Sequence, residues 1–379
     1  MKFFHLADLH IGKNVNGFSM LDDQRHILNQ TLDYADKYSP DAIILAGDIY
    51  DRQTPGIEAV KLFDEFLYSL SARNIAVIAI SGNHDSPERL SFGARIMDGR
   101  GVHMYGSFNG TMQKIMLEDE LGPVNFYMLP FIKPTFVRPF FENAESYNDA
   151  VRLVIESQNI DYRCRNVLIC HQFVTAVGVA PVLSESEIGP VGGIDNVDIA
   201  PLVNFDYVAL GHLHGPQKIG KDHIRYGGSP LKYSFSESNH NKSICFVKIG
   251  TKESGADIEL LPLTPLRNMR KIKGPFNQLI NADISSDGNR LDYIHVTLTD
   301  DEIIIDPMGK LRSVYPNIMS LSFDNARTNN TVKLDIRAED FKFNPLELFE
   351  EFFFAQNGLN MNPLQKKSSE ELLNKEETL

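Results

Sequence analysis

AVIAISGNHD, residues 76–85, is the stretch from which the rest of the chain can be read. An apolar run of five residues gives way to Ser-Gly-Asn-His-Asp, which reads as a buried strand emptying into a loop. Gly82 permits a sharp turn, the side-chain oxygen of Asn83 can bind a metal, and His84 beside it can reach toward a substrate phosphate. The same grammar recurs outward from this point, in AIILAGD (42–48), FFHLADLH (3–10), NVLICHQ (166–172) and YVALGHLH (207–214). Ligands of an open sheet collect beyond the carboxyl ends of its strands. Five such strands would bring Asp8, His10, Asp48, Asn83, His171, His212 and His214 to one rim. Asp8 and His10, like His212 and His214, stand at i and i+2 and so project to the same side of an extended segment. A lone His171 or a single Asp-x-His pair is more often structural or solvated. Five in the same topological position point to a site for two metal ions.

Composition bounds the alternatives. A chain of 379 residues exceeds one compact core, so two or three domains are expected. No apolar run approaches the roughly 20 residues that cross a bilayer, so no membrane association is expected. MKFFHLADLH lacks the long apolar core and small-residue cleavage site of a signal peptide. Three cysteines, Cys164, Cys170 and Cys245, make no CxxC pair, which points to a reducing, cytoplasmic setting. Cys170 beside His171 reads as strand packing, not a ligand. The net charge of −13 counts against nucleic-acid binding, although Arg267, Arg270, Lys271 and Lys273 form a basic cluster and bound cations would reverse the local sign.

Residues 1 to about 110 alternate strands with helical patterns at Met20–Tyr38 and Gly56–Arg73. In the second, Ile57, Val60, Phe63, Leu67 and Leu70 form a stripe at helical spacing. Further strands are expected near 113–117, 124–130, 166–171, 207–211, 224–228, 242–249 and 256–263, with a helix at Ser146–Gln158. This pattern predicts an α/β fold with two sheets packed face to face and helices outside. Domain boundaries are placed at 1–265, 266–338 and 339–379. The middle segment reads as a small α/β unit, with strands at 293–300 and 320–325 and a helix at Asp306–Val314. The last carries a helix rich in phenylalanine and a second helix at Ser368–Glu376.

Carboxylate, carboxamide and imidazole donors without a thiolate suit Mn²⁺, Fe²⁺ or Zn²⁺ better than Ca²⁺. A shared Asp can bridge two ions about 3.5–4 Å apart, and water between them ionises near neutral pH. An imidazole outside the ligand set can stabilise the transition state or protonate the leaving oxygen, and His84 fits because Asn83 already serves as the ligand of that turn. The reaction class is metal-assisted phosphoester hydrolysis.

In this order, DxH, GD, GNHD, a lone His and GHxH resemble the calcineurin-like metallophosphoesterases. FFHLADLHIG, AGDIYDR and YGGSPLKYSFSE (226–237) narrow the resemblance to the SbcD family of bacterial nuclease subunits, along nearly the whole chain. It implies a two-sheet metallophosphoesterase sandwich flanked by helices, a small α/β capping domain and a C-terminal helical tail. One metal, expected to be Mn²⁺, would take Asp8, His10, Asp48 and His214. The other would take Asp48, Asn83, His171 and His212, with His84 catalytic. Asp51 stands where archaeal and eukaryotic relatives often carry a histidine. The resemblance further implies action on DNA ends and hairpins in repair, replication and recombination. It implies a homodimer through Gly56–Arg73 and Arg89–Asp98 within a heterotetramer, and an SbcC-type coiled-coil ATPase bound by the C-terminal helices. Phe349, Phe352 and Phe353 give that tail more apolar surface than a solvated helix carries. Arg52, Arg89 and Lys232, with the basic cluster, are candidate DNA contacts. Two other readings stay open: a phosphodiesterase for small substrates, and a DNA-tethering subunit in which catalysis is secondary.

Overall fold

The computed structural model describes residues 1–176, 181–187, 196–281, 288–325, 345–357 and 360–376. The chain forms two compact units, Met1–Met269 and Arg270–Leu379. In chain order the strands of the first are β1 (Lys2–Leu6), β2 (Ala42–Ala46), β3 (Ala76–Ile80), β4 (Val102–Tyr105), β5 (Gln113–Asp119), β6 (Gly122–Leu129), β7 (Arg165–His171), β8 (Tyr207–Gly211), β9 (Gln217–Ile219), β10 (Lys221–Tyr226), β11 (Ser243–Ile249) and β12 (Ala256–Pro262). They make two six-stranded sheets, ordered β12-β11-β1-β2-β3-β4 and β9-β10-β8-β7-β6-β5. The inner strands β1 to β4 run parallel, as do β6, β7, β8 and β10, whereas β5, β9, β11 and β12 are added antiparallel.

Parallel strands covered on both faces must be apolar along their whole length. AIILA of β2 and YVALG of β8 are buried at every position. Phe3, Ile44 and Ile78 of the first sheet pack against Phe126, Ile169 and Tyr207 of the second, forming a core between the sheets. Outside the first sheet lie α1 (Leu21–Tyr38) and α2 (Ile57–Ser71), and outside the second lies α3 (Tyr147–Ser157). Helix α3 starts where Ser146 and Asp149 satisfy each other's backbone N–H groups, and its Val151 and Val154 meet Leu168 and Leu210.

The three long helices and the two-sheet arrangement match the expectation from sequence. Helix α2 buries only part of the expected stripe, Phe63 and Leu70. Its core face is Ala59, Leu62, Phe63, Phe66 and Leu70, while Ile57 and Val60 face outward. The backbone of α2 is rotated so that the denser apolar row meets the sheet. Strand β4 is an addition to the expected set, because VHMY is short and interrupted by a histidine.

The second unit contains the three-stranded sheet β13 (Met269–Gly274), β14 (Tyr293–Leu298) and β15 (Ile318–Phe323), in that order. Helices α4 (Phe276–Asn281) and α5 (Pro307–Arg312) supply Leu279 and Leu311 to a small core with Ile294, Val296 and Ile318. Helices α6 (Pro345–Asn357) and α7 (Pro363–Glu376) follow, joined by an ion pair of Glu350 with Lys366 at 2.6 Å. Helix α7 begins five residues earlier than the Ser368 start expected from sequence. The Asn362 side chain accepts from the N–H groups of Leu364 and Gln365, and Pro363 takes the first helical position, where no N–H is needed. The expected boundary at 338/339, with Phe341 and Phe343, lies outside the described residues.

The basic cluster is largely neutralised. Arg267 lies 3.4 Å from Asp23, Arg270 2.9 Å from Asp292, and Lys273 pairs with Asp324. Among the described residues, no helix is long and apolar enough to cross a membrane.

Candidate metal centre

All seven candidate ligands follow the carboxyl ends of parallel strands, but not of one sheet. β1, β2 and β3 of the first sheet supply Asp8, His10, Asp48 and Asn83, while β7 and β8 of the second supply His171, His212 and His214. The rim is therefore a seam where two sheets meet. Asp8, His10, Asp48, His171 and His214 are all at most 3% exposed.

Tight turns place them there. Asp8, His10 and Asp48 adopt φ of 54°, 45° and 51°, and His212 a φ of 107°. Such positions cost on the order of 1–3 kcal/mol each outside glycine, and Asp and His are among the residues that enter the left-handed region most readily. A Cβ on Gly82 would lie 2.1 Å from Asp48 Oδ1, and one on Gly211 would lie 1.9 Å from the Ala46 carbonyl oxygen. Both glycines are needed because a neighbour occupies the space of a side chain.

The ligand atoms converge on one another, while the backbone N–H groups of His84 and His212 donate to Asp48 and Asp8. His171 Nδ1 donates to the Ala46 carbonyl at 2.8 Å, so in the neutral ring Nε2 presents a lone pair. That lone pair faces Asn83 Oδ1 at 3.0 Å and Asp48 Oδ2 at 3.4 Å, and His212 Nδ1 approaches the same Asn83 oxygen at 3.1 Å. On the other side, His10 Nε2 lies 3.1 Å from His214 Nε2 and 3.7 Å from Asp48 Oδ2. Nδ1 of His10 is buried with no hydrogen-bond partner. Acceptors facing acceptors in a dry site need a proton or a cation between them. Asp8, His10 and His214 form one group able to hold an ion, and Asp8, Asp48 and His171 another.

The electrostatics agree. Burial pushes the Asp8 carboxyl up to about 7. Burial would also raise Asp48, but the charge and hydrogen bond of His171 hold it well below the usual carboxylate range. Burial alone would lower His171, yet the charge of Asp48 outweighs it and brings the imidazole to about 9. Burial and the neighbouring His171 hold His212 near 3. Without an ion, protons are drawn into the site to do its work.

His84 is half-buried, as are Asn83 and His212. Its Nδ1 donates to the Asp51 carbonyl at 3.0 Å, its ring lies 4.7 Å from that of His10, and it is close enough to join His10 and Asp48 as a third ion-holding group.

Residues 1–216 match the family model of the calcineurin-like phosphoesterases. A second match, to the type 5 capsule protein repressor C-terminal domain, covers residues 265–357. The chain is 34% identical to the D subunit of the SbcCD nuclease of Staphylococcus epidermidis, over 98% of either chain. It belongs to the SbcD family of calcineurin-like phosphoesterases. Among solved structures, a dimetal phosphatase from Danio rerio aligns at 12% identity with a TM-score of 0.40, over 70% of this chain and 98% of that one.

As an SbcD-family phosphoesterase, the chain surrounds its donor set with residues that sequence reasoning passed over. Asp85, 2% exposed, accepts from the N–H groups of Ile49, Tyr50 and Gly82, and so ties the loop after β2 to the loop after β3. The Gln24 amide of α1 donates to the His10 carbonyl at 2.7 Å, and its oxygen accepts from Gly12 N–H at 2.9 Å. Ser186 Oγ lies 2.8 Å and Glu237 Oε1 3.4 Å from His214 Nδ1. Glu237, wholly buried, is held by Lys242 at 2.6 Å. The stretch YGGSPLKYSFSE thereby acquires a physical task, since its last residue orients a candidate ligand. Cys170 is buried and its thiol is pushed up by burial, consistent with packing.

Proposed function

We propose that this protein is the nuclease subunit of a DNA-processing complex, hydrolysing phosphodiester bonds in double-stranded ends and hairpins by exonucleolytic and endonucleolytic cuts. The observation that carries the chemistry is the convergence of seven metal-binding side chains from five strand ends on one seam. Kinship with a nuclease subunit over nearly the full length of both chains supports DNA as substrate.

Asp8, His10, Asp48 and His214 would hold one ion and Asp48, Asn83, His171 and His212 the other, with Asp48 common to both sets. Mn²⁺ is the working metal in this reading: the donors suit Mn²⁺, Fe²⁺ or Zn²⁺, and the family resemblance favours Mn²⁺ among them. When bound, the pair of ions supplies a hydroxide nucleophile and neutralises charge on the phosphate. The residues do the rest. Asp85 and Gln24 keep the loops rigid, so the ligand atoms need not reorganise during reaction. His84 is fixed by its Nδ1 bond to the Asp51 carbonyl, which leaves Nε2 to protonate the leaving oxygen or steady the transition state.

Assembly follows from surface chemistry. Tyr68 (75% exposed), Ile57 and Val60 of α2, and Phe92 (85%) and Ile96 (83%) in and beside the short helix Ala94–Asp98, are large exposed apolar side chains, and these two helices are read as the homodimer contact. Helices α6 and α7, with Phe349 and Phe352 exposed, are read as the dock for a coiled-coil ATPase. Residues 266–338 would cap the nuclease domain, and the setting would be the cytoplasm, in repair, replication and recombination.

The test is hydrolysis of end-labelled duplex and hairpin DNA with Mn²⁺, by wild type and His84→Ala, with and without an SbcC-type ATPase. Mn²⁺-dependent cleavage lost in the variant, and ATP stimulation only with the partner, are the expected results. Cleavage of bis(p-nitrophenyl) phosphate with DNA intact under every condition would move the same site to a small substrate.

A further inference from the structure

Between β6 and α3 the chain reads FIKPTFVRPF (131–140), with three phenylalanines, two cations and no acidic residue in a protein of net charge −13. This segment begins at the rim of the metal centre. Phe131 N–H donates to the Ser81 carbonyl at 2.9 Å, just ahead of Gly82 and Asn83. The Phe131 ring meets the His171 ring edge-on at 6.2 Å, and the Gln172 side chain donates to the Ile132 carbonyl at 3.1 Å. Lys133 Nζ lies 5.8 Å from the Phe131 ring, one aromatic ring removed from a candidate ligand.

The segment is held firmly. Ile132 and Val137 are completely buried, and Val137 accepts from the N–H groups of Phe140 and Phe141. Arg138 Nε donates to the Ala144 carbonyl at 3.0 Å. On this support Phe136 and Phe140 stay 48% and 51% exposed, one in the short helix Pro134–Val137 and the other in the turn after it. Phe140 rests edge-on against Phe108 at 5.8 Å, and a Cβ on Gly110 would touch its ring. Among the described residues neither Lys133 nor Arg138 has a carboxylate partner.

Exposed rings on a rigid support, interleaved with unpaired cations beside a phosphoesterase rim, are the parts of a single-strand platform. Bases stack on the rings whatever their identity, and phosphates meet the cations. We infer that residues Phe131–Phe140 form a ledge that binds an unpaired DNA strand leading into the metal centre, with Phe136 stacking a base and Lys133 contacting a phosphate. The inference rests on the nuclease reading above and names the form in which its substrate arrives. A protein partner is the less favoured occupant, because an apolar docking surface does not require two unpaired cations.

The test measures anisotropy of fluorescein-labelled oligothymidylate of about 20 nucleotides and of a blunt hairpin duplex, in EDTA, with the full chain. Phe136→Ala is expected to weaken oligothymidylate binding roughly tenfold and the duplex far less. Phe136→Trp should restore it, which excludes misfolding as the cause. Lys133→Ala should weaken binding and lower the salt slope by about one. Mn²⁺-dependent DNA cleavage by the wild type is run alongside. Cleavage by wild type with unchanged affinity in both alanine variants overturns the ledge and leaves the nuclease reading intact. Failure of the wild type to cleave or bind any DNA removes both. Variants that lose a purified ATPase partner while keeping DNA affinity show a protein dock, and also overturn the inference.

Discussion

The rim of the first unit and helix α6 of the second invert the usual rule of folding in opposite directions. At the rim, Asp8, Asp48 and three imidazoles lie in a dry seam, where burial of unpaired polar groups costs several kcal/mol unless something compensates. On α6, Phe349, Phe352 and Phe354 are 40–49% exposed to water, which a solvated helix has no reason to tolerate. Buried polarity calls for an ion and exposed apolarity for a protein surface. The two regions are thus incomplete in complementary ways, and each can be challenged separately.

The largest effect is expected from Asp48→Ala, which removes the carboxylate common to both halves of the donor set. Phosphoesterase activity should fall by about 10³-fold or more, read on bis(p-nitrophenyl) phosphate with Mn²⁺. His84→Ala should lower kcat by about 10² to 10⁴-fold while calorimetry still counts two ions per chain, because His84 is assigned to proton transfer and not to binding. Loss of an ion in that variant would place His84 among the ligands. Glu237→Gln should weaken metal affinity by roughly 10 to 100-fold through the orientation of His214, measured by metal titration.

A pH effect comes next. His171 in the ion-free protein titrates near 9, above its unfolded value, so its contribution to stability is complete below about 6.5 and is lost as pH rises through about 9. Asp8, raised to about 7, likewise favours the fold most when protonated, and that contribution is lost between roughly pH 4 and 7. Ions compete with those protons and bind better as pH rises. The gap in Tm between Mn²⁺-loaded and EDTA-treated protein should therefore widen from pH 6 to pH 9, and a constant gap would refute the assignment. The smallest effect on the fold belongs to Phe352→Ser. Its stability should stay within about 0.5 kcal/mol of wild type while association with a coiled-coil ATPase is lost. A destabilisation of about 2 kcal/mol or more would make α6 core and erase the contrast.

The first of these regions was more legible than the second. Apolar runs ending in Asp, Asn or His betray buried strands with functional ends, because period, length and punctuation all agree. Distribution of the ligands over two sheets was not legible, since each run says where its own strand stops and nothing about which sheet it joins. Asp85, Gln24 and Glu237 escaped for another reason. They act on backbone N–H and carbonyl groups or on another side chain, and such partners leave no periodic trace. On α2, Ile57 and Val60 fit a helical stripe with Phe63 as well as Ala59, Leu62 and Phe66 do, and only packing against the sheet chose between them. The early start of α7 was legible in principle, in Asn362 followed by Pro363.

The two imidazoles that face each other across the seam, His10 and His214, are separated by 204 positions in the chain. During synthesis the first ligands emerge long before their counterparts, and β1 must also wait for β11, its antiparallel neighbour, to leave the ribosome. A nascent chain that stops short of β8 lacks His212 and His214 and so leaves both halves of the donor set incomplete. The centre is thus a late product of folding, and a truncated chain should bind ions poorly however well its first sheet has formed.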